Sequence, residues 1–427
     1  MIGILIVVIK IIVLLGFLIL IHELGHFTVA KLCKVKVNEF AIGFGPTIWK
    51  KQGKETKYAL RLIPLGGFVS MEGEDEQSDN EGSFSKASVP RRMAIVVAGA
   101  TVNIIFAVIV YFILVSTSGT YISNEIDTII DGYAAKEAGL QVGDKIIRIN
   151  DEEIKSKYDL DEVMDENNGE ELNVQVQRND EILNFNIKPT EVKSKVTGIY
   201  LDDNAKIITT DKGSPAEKVG IENNDEILKV NGQDVNGSSD KVIEILNQSK
   251  EENVNENGDS ENEPIEITVQ RGNAEVTIDL VPDTVSTYYL GVNMKYAEDT
   301  FANRCINGWM ETKVFVFSIF DNLKQLFTGN VGLDQMMGPV GISEVVANTN
   351  GFREFFEMMA LISLSLGVTN LLPIPALDGG KLLILLIEAI RRKPLKQETE
   401  MNIQLIGFAI LITIFLMVTY NDILRIF

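Results

Sequence analysis

Residues 2–26 read IGILIVVIKIIVLLGFLILIHELGH, and this stretch decides the fold. Residues 2–21 are apolar except for Lys10, which is enough length for a helix that crosses a membrane. His22 and His26 are four positions apart, so on a helix both imidazoles lie on one face and can hold one metal ion. Glu23 would then lie beside the metal as a general base. The sequence predicts a metal site at the end of a membrane helix.

Three more apolar segments follow, and together they predict four transmembrane helices. The loops at 31–92 and 391–402 are rich in lysine and arginine, which the positive-inside rule assigns to the cytosol. The N-terminus and the acidic middle of the chain would then lie outside the cell, with the histidines toward the cytosolic side of the plasma membrane. The predicted spans are 1–30, 93–117, 359–390 and 403–424.

Composition excludes some classes of function. The net charge is -21 and the isoelectric point is about 4.6, which argues against nucleic-acid binding. Cys33 and Cys305 form no C-x-x-C motif, so a disulfide framework or a cysteine metal site is not indicated.

The middle of the chain contains an internal repeat. The stretch 131–154 aligns with 211–235, each with small residues opening a short helix, a turn, an aspartate and an alternating strand. The repeat resembles the PDZ domain in the form common in bacterial proteases, with domains expected at 121–192 and 193–285. In the second copy Asn224 replaces the turn glycine, and asparagine tolerates that left-handed conformation. The acidic segment 250–263 has no apolar periodicity and indicates a disordered insertion.

Two further segments flank the predicted spans. Within the loop 31–92, residues 39–71 alternate with glycine and proline turns, which predicts a membrane-associated β-hairpin or sheet whose edge could receive an extended peptide. Residues 300–350 begin with mixed polar and aromatic positions, which predicts an amphipathic helix at the outer membrane surface.

The third metal ligand cannot be a histidine, because the chain has only two, so it must be a carboxylate or a cysteine thiolate. Glu39 and Glu72 lie downstream in the loop, but Asp378 is the stronger candidate, because acids inside apolar segments tend to be functional. Its setting is Asn370-LLPIPALDGG-380, where two prolines break the helix and two glycines allow close backbone approach. The alternative is a structural acid paired with Lys381 or Arg61.

HELGH, the repeat and NLLPIPALDGG together resemble the site-2 protease family, in its bacterial branch that cleaves anti-sigma factors and other membrane proteins within the bilayer. The resemblance implies one zinc ion per chain, bound by His22, His26 and Asp378, with Glu23 as the catalytic base. It also matches Gly99 and Asn103 to a glycine-asparagine pair in the family's second span, and Tyr58–Val69 to the family's substrate-engaging strand loop. Residues implied to contact substrate are Asn370, Asn103, Arg61, Gly66, Gly67 and Pro373.

The expected fold is a polytopic α-helical membrane protein with four transmembrane helices, a membrane-associated β-sheet and two α+β PDZ-like domains. The expected function is that of a zinc metalloendopeptidase that cuts transmembrane segments of anti-sigma factors or remnant signal peptides. Its partners would be these substrates, the lipid bilayer and peptide ligands of the PDZ-like pair, without nucleic acid. An inert membrane scaffold that binds peptides is the alternative. A transporter would need more polar residues within the membrane than the sequence has.

Overall fold

The computed structural model describes residues 2–74, 78–202, 205–251, 264–272, 274–328, 337–349 and 351–426. The chain divides into two compact units. The first, here called the membrane unit, comprises Met1–Gly119 and Thr300–Phe427, and the second, the middle unit, comprises Thr120–Asp299. Most of the predicted acidic insertion, residues 252–263, lies outside the described residues.

The membrane unit begins with two long apolar helices that enclose a small sheet. The elements are α1 (Ile2–Leu32), β1 (Val37–Gln52), β2 (Lys57–Met71) and α2 (Val89–Ser116). Both strands are long and bent, so each contributes two segments to the sheet. Residues 37–42 of β1 pair on one side with 67–71 of β2 and on the other with 57–60. Residues 47–52 of β1 then pair with 57–61, at the far edge. Ala30, Val37, Met71 and Ile95 are buried together and fix the sheet to α1 and α2. The predicted sheet is therefore present beside the histidine motif.

The middle unit contains the repeat as two sheet-and-helix modules. The elements of the first module are β3 (Ile122–Ile129), α3 (Ala134–Glu137), β4 (Lys145–Ile149), β5 (Glu152–Glu153), α4 (Lys157–Glu166), β6 (Leu172–Arg178) and β7 (Glu181–Ile187). A ribbon strand, β8 (Thr190–Val196), leads to the second module. Its elements are β9 (Ile199–Leu201), β10 (Ile207–Thr210), α5 (Pro215–Lys218), β11 (Glu226–Val230), β12 (Gln233–Asp234), α6 (Ser239–Glu251), β13 (Ile265–Arg271) and β14 (Ala274–Leu280). The chain returns through β15 (Asp283–Tyr289), which pairs with β8, and ends in β16 (Val292–Tyr296).

The boundary expected between the two repeats is wrong, because the second module is nested within the first. β16 pairs with β3 and completes the sheet β16-β3-β4-β6-β7 of the first module. Leu290 and Met294 lie in the core of that module, at 3% and 8% exposure. A sequence repeat marks the start of each module but carries no information about which later strand closes the sheet, so the expected end at 192 cut the first module short.

The turn of the second repeat survives without its glycine. Asn224 has φ +72°, close to the φ of +91° at Gly143 in the first repeat. The aspartate that follows each turn is buried, at 1% for Asp144 and 2% for Asp225, and each accepts two hydrogen bonds from an arginine, Arg178 or Arg271. The repeated aspartate is therefore a structural residue of each module.

The membrane unit resumes with five helices in the described part of the chain. They are α7 (Phe301–Thr328), α8 (Pro339–Asn348), α9 (Phe352–Asn370), α10 (Asp378–Arg391) and α11 (Gln397–Ile426). The predicted amphipathic helix is α7, but Phe315 and Leu323 pack against a core of α2 and α9 residues, and Phe315 stacks on Tyr111 of α2 at 4.0 Å. The prediction of a helix that lies on the membrane surface did not include this packing of α7 against α2 and α9.

Three helices among the described residues are long and apolar enough to cross a membrane, namely Leu5–Leu32, Val89–Ser116 and Gln397–Leu424. The segment predicted as the third span, 359–390, is not one continuous helix. It is divided between α9 and α10 by residues 371–377, which contain the two prolines. Proline lacks a backbone N–H and cannot continue a helix, so the break follows from the sequence.

Candidate metal centre

His22, His26 and Asp378 converge on one point. Each offers one ligand atom, and these atoms all lie within 4.8 Å of one another. The two Nε2 atoms are 3.2 Å apart, and Oδ2 of Asp378 is 3.3 Å from Nε2 of His22 and 3.5 Å from Nε2 of His26. Both imidazoles are on α1, as the spacing of four residues predicts, and the carboxylate arrives from α10.

Partners on α2 set the orientation of both imidazoles. Nδ1 of His26 lies 2.8 Å from the carbonyl oxygen of Ile95, so this nitrogen carries the proton and donates it. Nε2 of His26 is then left with a free lone pair. Nδ1 of His22 lies 3.4 Å from the side-chain amide of Asn103, which is fully buried. An amide rotated to present its oxygen would hold His22 in the same tautomer.

Three lone-pair acceptors facing one another favour a cation between them. Oδ2 of Asp378 is buried and has no hydrogen-bond donor in the described structure. Buried acceptors without donors are rare in folded proteins, because each loses its hydration without compensation. Two imidazole nitrogens and one carboxylate oxygen are also a ligand set that zinc uses at catalytic sites. The donor set therefore fits a divalent transition metal.

Gly99 leaves the room that such an ion requires. A Cβ built at Gly99 would lie 2.4 Å from Nε2 of His26 and 2.8 Å from Nε2 of His22. Gly25 on α1 meets α2 as closely, with a Cβ position 2.6 Å from the carbonyl oxygen of Ala98. Small residues on both helices thus bring α1 and α2 together at the depth of the histidines.

The break between α9 and α10 brings Asp378 to the site. Asp378 is the first residue of α10, and the two residues after it are glycines. A Cβ at Gly379 would lie 2.2 Å from the carbonyl oxygen of Leu372, and one at Gly380 would lie 2.3 Å from that of Ile374. The turn therefore folds back tightly on the start of α10, and the glycines are required by close backbone approach.

The alternative carboxylates have other partners. Glu39 accepts hydrogen bonds from Arg61 and Lys57, both at 2.9 Å. Burial would raise the pKa of Glu39, but these two bonds outweigh it and lower that pKa. Glu72 accepts from Asn38, Ser78 and Asn80, and Lys381 bonds Glu74 at 3.0 Å. Arg61 and Lys381, the partners considered for a purely structural Asp378, are thus each paired with a glutamate.

Glu23 lies between the histidines and the sheet. A Cβ at Gly67 of β2 would lie 3.6 Å from Cγ of Glu23, so the strand passes directly beside this carboxylate. Gly66 precedes it with φ +104°, and a Cβ there would lie 2.1 Å from the ring of Phe44. Gly66 is therefore required by its close packing against Phe44, and Gly67 by the carbonyl oxygen of Ala41, which a Cβ would meet at 2.8 Å.

The other expected substrate residues lie on α9, in the break before α10, on β2 and on α2. Asn370 ends α9 and is half-buried, while Pro373 is exposed in the break. Arg61 stacks on Phe68 with its guanidinium 4.8 Å from the ring centroid, beside its ion pair with Glu39. Asn103 differs from these, because it is 0% exposed beneath His22 and is placed to orient that imidazole. Sequence reasoning missed the Ile95 carbonyl, since a backbone oxygen leaves no residue-type signal.

Comparison with known proteins is consistent with this geometry. The model of peptidase family M50 matches residues 10–414. The regulator of sigma-W protease RasP of Bacillus subtilis is 31% identical, with 98% of this chain and 99% of that protein covered. The regulator of sigma E protease of Haemophilus influenzae is 28% identical, with 97% and 98% covered. A Clostridium acetobutylicum protein named for zinc metalloprotease activity is 29% identical, with 96% and 94% covered.

Among solved structures, the HtrA3 PDZ domain bound to a phage-derived ligand is similar over 23% of this chain and 93% of that domain, with 20% identity and a TM-score of 0.18. The family model and the relatives, in contrast, extend over nearly the whole chain, and its long apolar helices make it a membrane protein. This chain belongs to peptidase family M50 and is a metalloprotease.

Proposed function

We propose that this protein is a zinc endopeptidase that hydrolyses peptide bonds within transmembrane segments of other membrane proteins. The observation that carries the proposal is the convergence of His22, His26 and Asp378 at the end of a helix long enough to span a membrane. A hydrolytic site in this position meets its substrate where the substrate itself is helical and membrane-embedded.

Zinc fits the site by its ligand set and by the space beside Gly99. The two imidazole Nε2 atoms and the Asp378 carboxylate would hold it, which leaves a fourth position open. When bound, zinc supplies Lewis acidity that polarises a carbonyl and lowers the pKa of water to about 7. Ile95 and Asn103 keep the imidazoles in the orientation that exposes Nε2.

Glu23 is the residue we assign as general base. It follows His22 directly on α1 and lies beside Gly67, so its carboxylate is outside the ligand set but next to it. In this position it can take a proton from the attacking water and pass it to the leaving amine.

Residues 67–71 are suited to hold an opened substrate. A peptide bond in a helix is shielded by its own hydrogen bonds, so the substrate must unwind before attack. Residues 67–71 form an outer segment of the sheet, paired with 37–42, and Gly67 is beside Glu23. Addition of an extended peptide to this edge would present its carbonyl groups at the site, with Asn370, Pro373 and Arg61 at the margins.

We further propose a four-span topology in the plasma membrane, with α9 and α10 forming the third crossing as a broken pair. The loop with β1 and β2 would face the cytosol and the middle unit would lie outside the cell, in line with the distribution of lysine and arginine. Broken helices at membrane depth are tolerated where they line a cavity, which suits the segment that delivers Asp378.

The two modules of the middle unit we assign as PDZ-like, and we propose that they select substrates whose ectodomains have already been removed. The basis is the repeated strand-helix pattern and the exposed outer strand β16, where a peptide could add. Anti-sigma factors are the proposed substrate class, in keeping with the sigma-regulator names of two relatives. Remnant signal peptides are a second class with the same chemistry.

A pair of substitutions tests the roles of Glu23 and Asp378. Glu23→Gln in the purified full chain should keep its zinc and lose cleavage of a transmembrane substrate by about 100- to 10,000-fold, the usual range for a general base. Asp378→Ala should lose both zinc and activity, because a ligand is missing. Zinc is measured by elemental analysis, with Glu55→Gln, at an exposed ion pair with Lys31, as the control. Near-normal cleavage by either site variant would refute its assigned role.

A further inference from the structure

The outer strand segment of the sheet, residues 47–52, carries large apolar side chains that are exposed. It pairs on one side with residues 57–61 of β2. Ile48 is 62% exposed and Trp49 is 54% exposed, and Leu62 on the neighbouring strand is 60% exposed. Large apolar side chains grouped in this way mark an interaction surface, because single proteins rarely leave them to water.

Three lysines continue this apolar group toward the turn of the hairpin. Lys50, Lys51 and Lys54 are exposed, and within the described structure none of them has an ion-pair partner. Nearby lysines differ, since Lys31 pairs with Glu55 and Lys57 pairs with Glu39. The free positive charge of the sheet is therefore concentrated beside Ile48 and Trp49. We call Ile48–Lys51, Lys54 and Leu62 the basic edge.

We propose that the basic edge binds the headgroup region of an anionic phospholipid bilayer. Tryptophan prefers the interface, where its ring is apolar and its N–H is solvated, and lysines are attracted by anionic headgroups. β1 starts at Val37, soon after α1 ends at Leu32, so the sheet begins close to the end of a membrane-length helix. The inference rests on the membrane embedding of the chain and is independent of the proposed peptidase mechanism.

A peptide substrate fits this edge less well than lipid. The edge beside Glu23 is formed by residues 67–71, and the segments 37–42 and 57–60 separate it from residues 47–52. With strands about 4.8 Å apart, the two edges are about 14 Å from each other. A substrate strand added at 47–52 would therefore lie away from Glu23, whereas lipid contact there has no such requirement.

The chain contains two tryptophans, which makes a direct test feasible. In Trp309→Phe, Trp49 is the sole tryptophan and reports its own surroundings. The full-length variant is placed in nanodiscs of phosphatidylcholine, or of phosphatidylcholine with phosphatidylglycerol, carrying bromine on shallow acyl carbons as a fluorescence quencher. We expect quenching of Trp49 that increases with phosphatidylglycerol. Replacement of Lys50, Lys51 and Lys54 by glutamine should abolish the increase, and replacement by arginine should restore it.

The controls separate this proposal from the proposed catalysis and from misfolding. Trp49→Phe leaves Trp309 as the reporter, and its quenching should not respond to the lysine changes. Glu23→Gln should leave the Trp49 signal unchanged, whatever its effect on cleavage. Three results would overturn the proposal, and the first two are a Trp49 that bromine does not quench and quenching that is indifferent to phosphatidylglycerol. A Trp49 signal that responds to added substrate peptide instead of to bromolipid would identify the edge as a peptide surface.

Discussion

At the residue scale, the metal centre depends on small side chains as much as on its ligands. Gly99 faces both Nε2 atoms, while Gly25 allows α1 to approach α2. A methyl group at either position would meet atoms closer than contact distance, namely the two imidazoles at Gly99 and the backbone of α2 at Gly25. The positions of the two imidazoles therefore depend on how closely α1 and α2 pack.

Gly99→Ala should consequently impair metal binding without preventing membrane insertion. The added methyl must displace His26 or separate the helices, and changes that disturb ligand orientation typically cost about 10- to 100-fold in metal affinity. Thr101→Ala, on the exposed side of the same helix, is the matched control. Zinc affinity from competition with a chelator measures the difference. Equal affinities for the two variants would show that the model of a crowded site is wrong.

At the scale of elements, a cluster around Glu72 fixes the segment that joins β2 to α2. Its carboxylate accepts hydrogen bonds from Asn38 at 2.9 Å and from Ser78 and Asn80 at 2.7 Å. The hydrogen bond from Asn38, followed by those from Ser78 and Asn80, lowers the pKa of Glu72 from 4.5 to about 2. Lys381 of α10, through Glu74, ties the same segment to the helix that carries Asp378.

The lowered pKa gives a pH dependence of known sign. The pKa of Glu72 is lower in the folded chain than in the unfolded chain. Its stabilisation of the fold is therefore complete above pH 4.5 and is lost as the pH falls through about 2. Hydrogen exchange of the amides at 78–85, corrected for intrinsic rates, should therefore accelerate across this window. In Glu72→Ala these amides should exchange fast already at neutral pH, while in Glu55→Gln they should exchange as in the wild type. Protection that persists below pH 2 would contradict the assignment.

At the scale of the whole molecule, the two units differ in what they need in order to fold. The middle unit has its own cores, one in each module, and neither contains a residue of the membrane helices. The first core, however, includes Leu290 and Met294 from the last stretch of the unit. An independent fragment must therefore reach beyond β16.

We expect the fragment 120–299 to fold as a soluble, acidic protein and the fragment 121–283 to fail in its first module. The shorter fragment lacks β16, so β3 loses its antiparallel partner and two core side chains are missing. Two-dimensional NMR of both fragments measures this, because the second module should give dispersed signals in either case. Dispersed signals from the first module in the shorter fragment would contradict the nested arrangement.

The proposed orientation in the membrane can be tested on intact cells. Added protease should cut the middle unit and spare the β1–β2 loop, since the positive-inside rule puts the two on opposite sides. After the membrane is permeabilised, the loop should become accessible as well. If the middle unit is protected in intact cells and the loop is cleaved, the orientation in the membrane is the reverse of the proposed one.

The sequence by itself determined the local chemistry and much of the element pattern. Spacing of four residues put His22 and His26 on one face, and two prolines stopped α9 before Asp378, because both effects act within a few residues of chain. The repeat likewise predicted the short helices α3 and α5 and the alternating strands β4 and β11, and asparagine at 224 kept its left-handed turn. Apolar length also predicted the three membrane-length helices of the described residues.

Only the tertiary structure decided which distant groups meet. The closing of the first module by β16, the packing of α7 along α2 and the burial of Asn103 beneath His22 join residues far apart in the chain. Arg61 likewise pairs with Glu39 and Lys381 with Glu74, which are distant in sequence or on other elements. Asp378 is therefore left to face the histidines. Such contacts depend on side-chain packing and backbone carbonyls across elements, and hydrophobic periodicity along one segment cannot specify them.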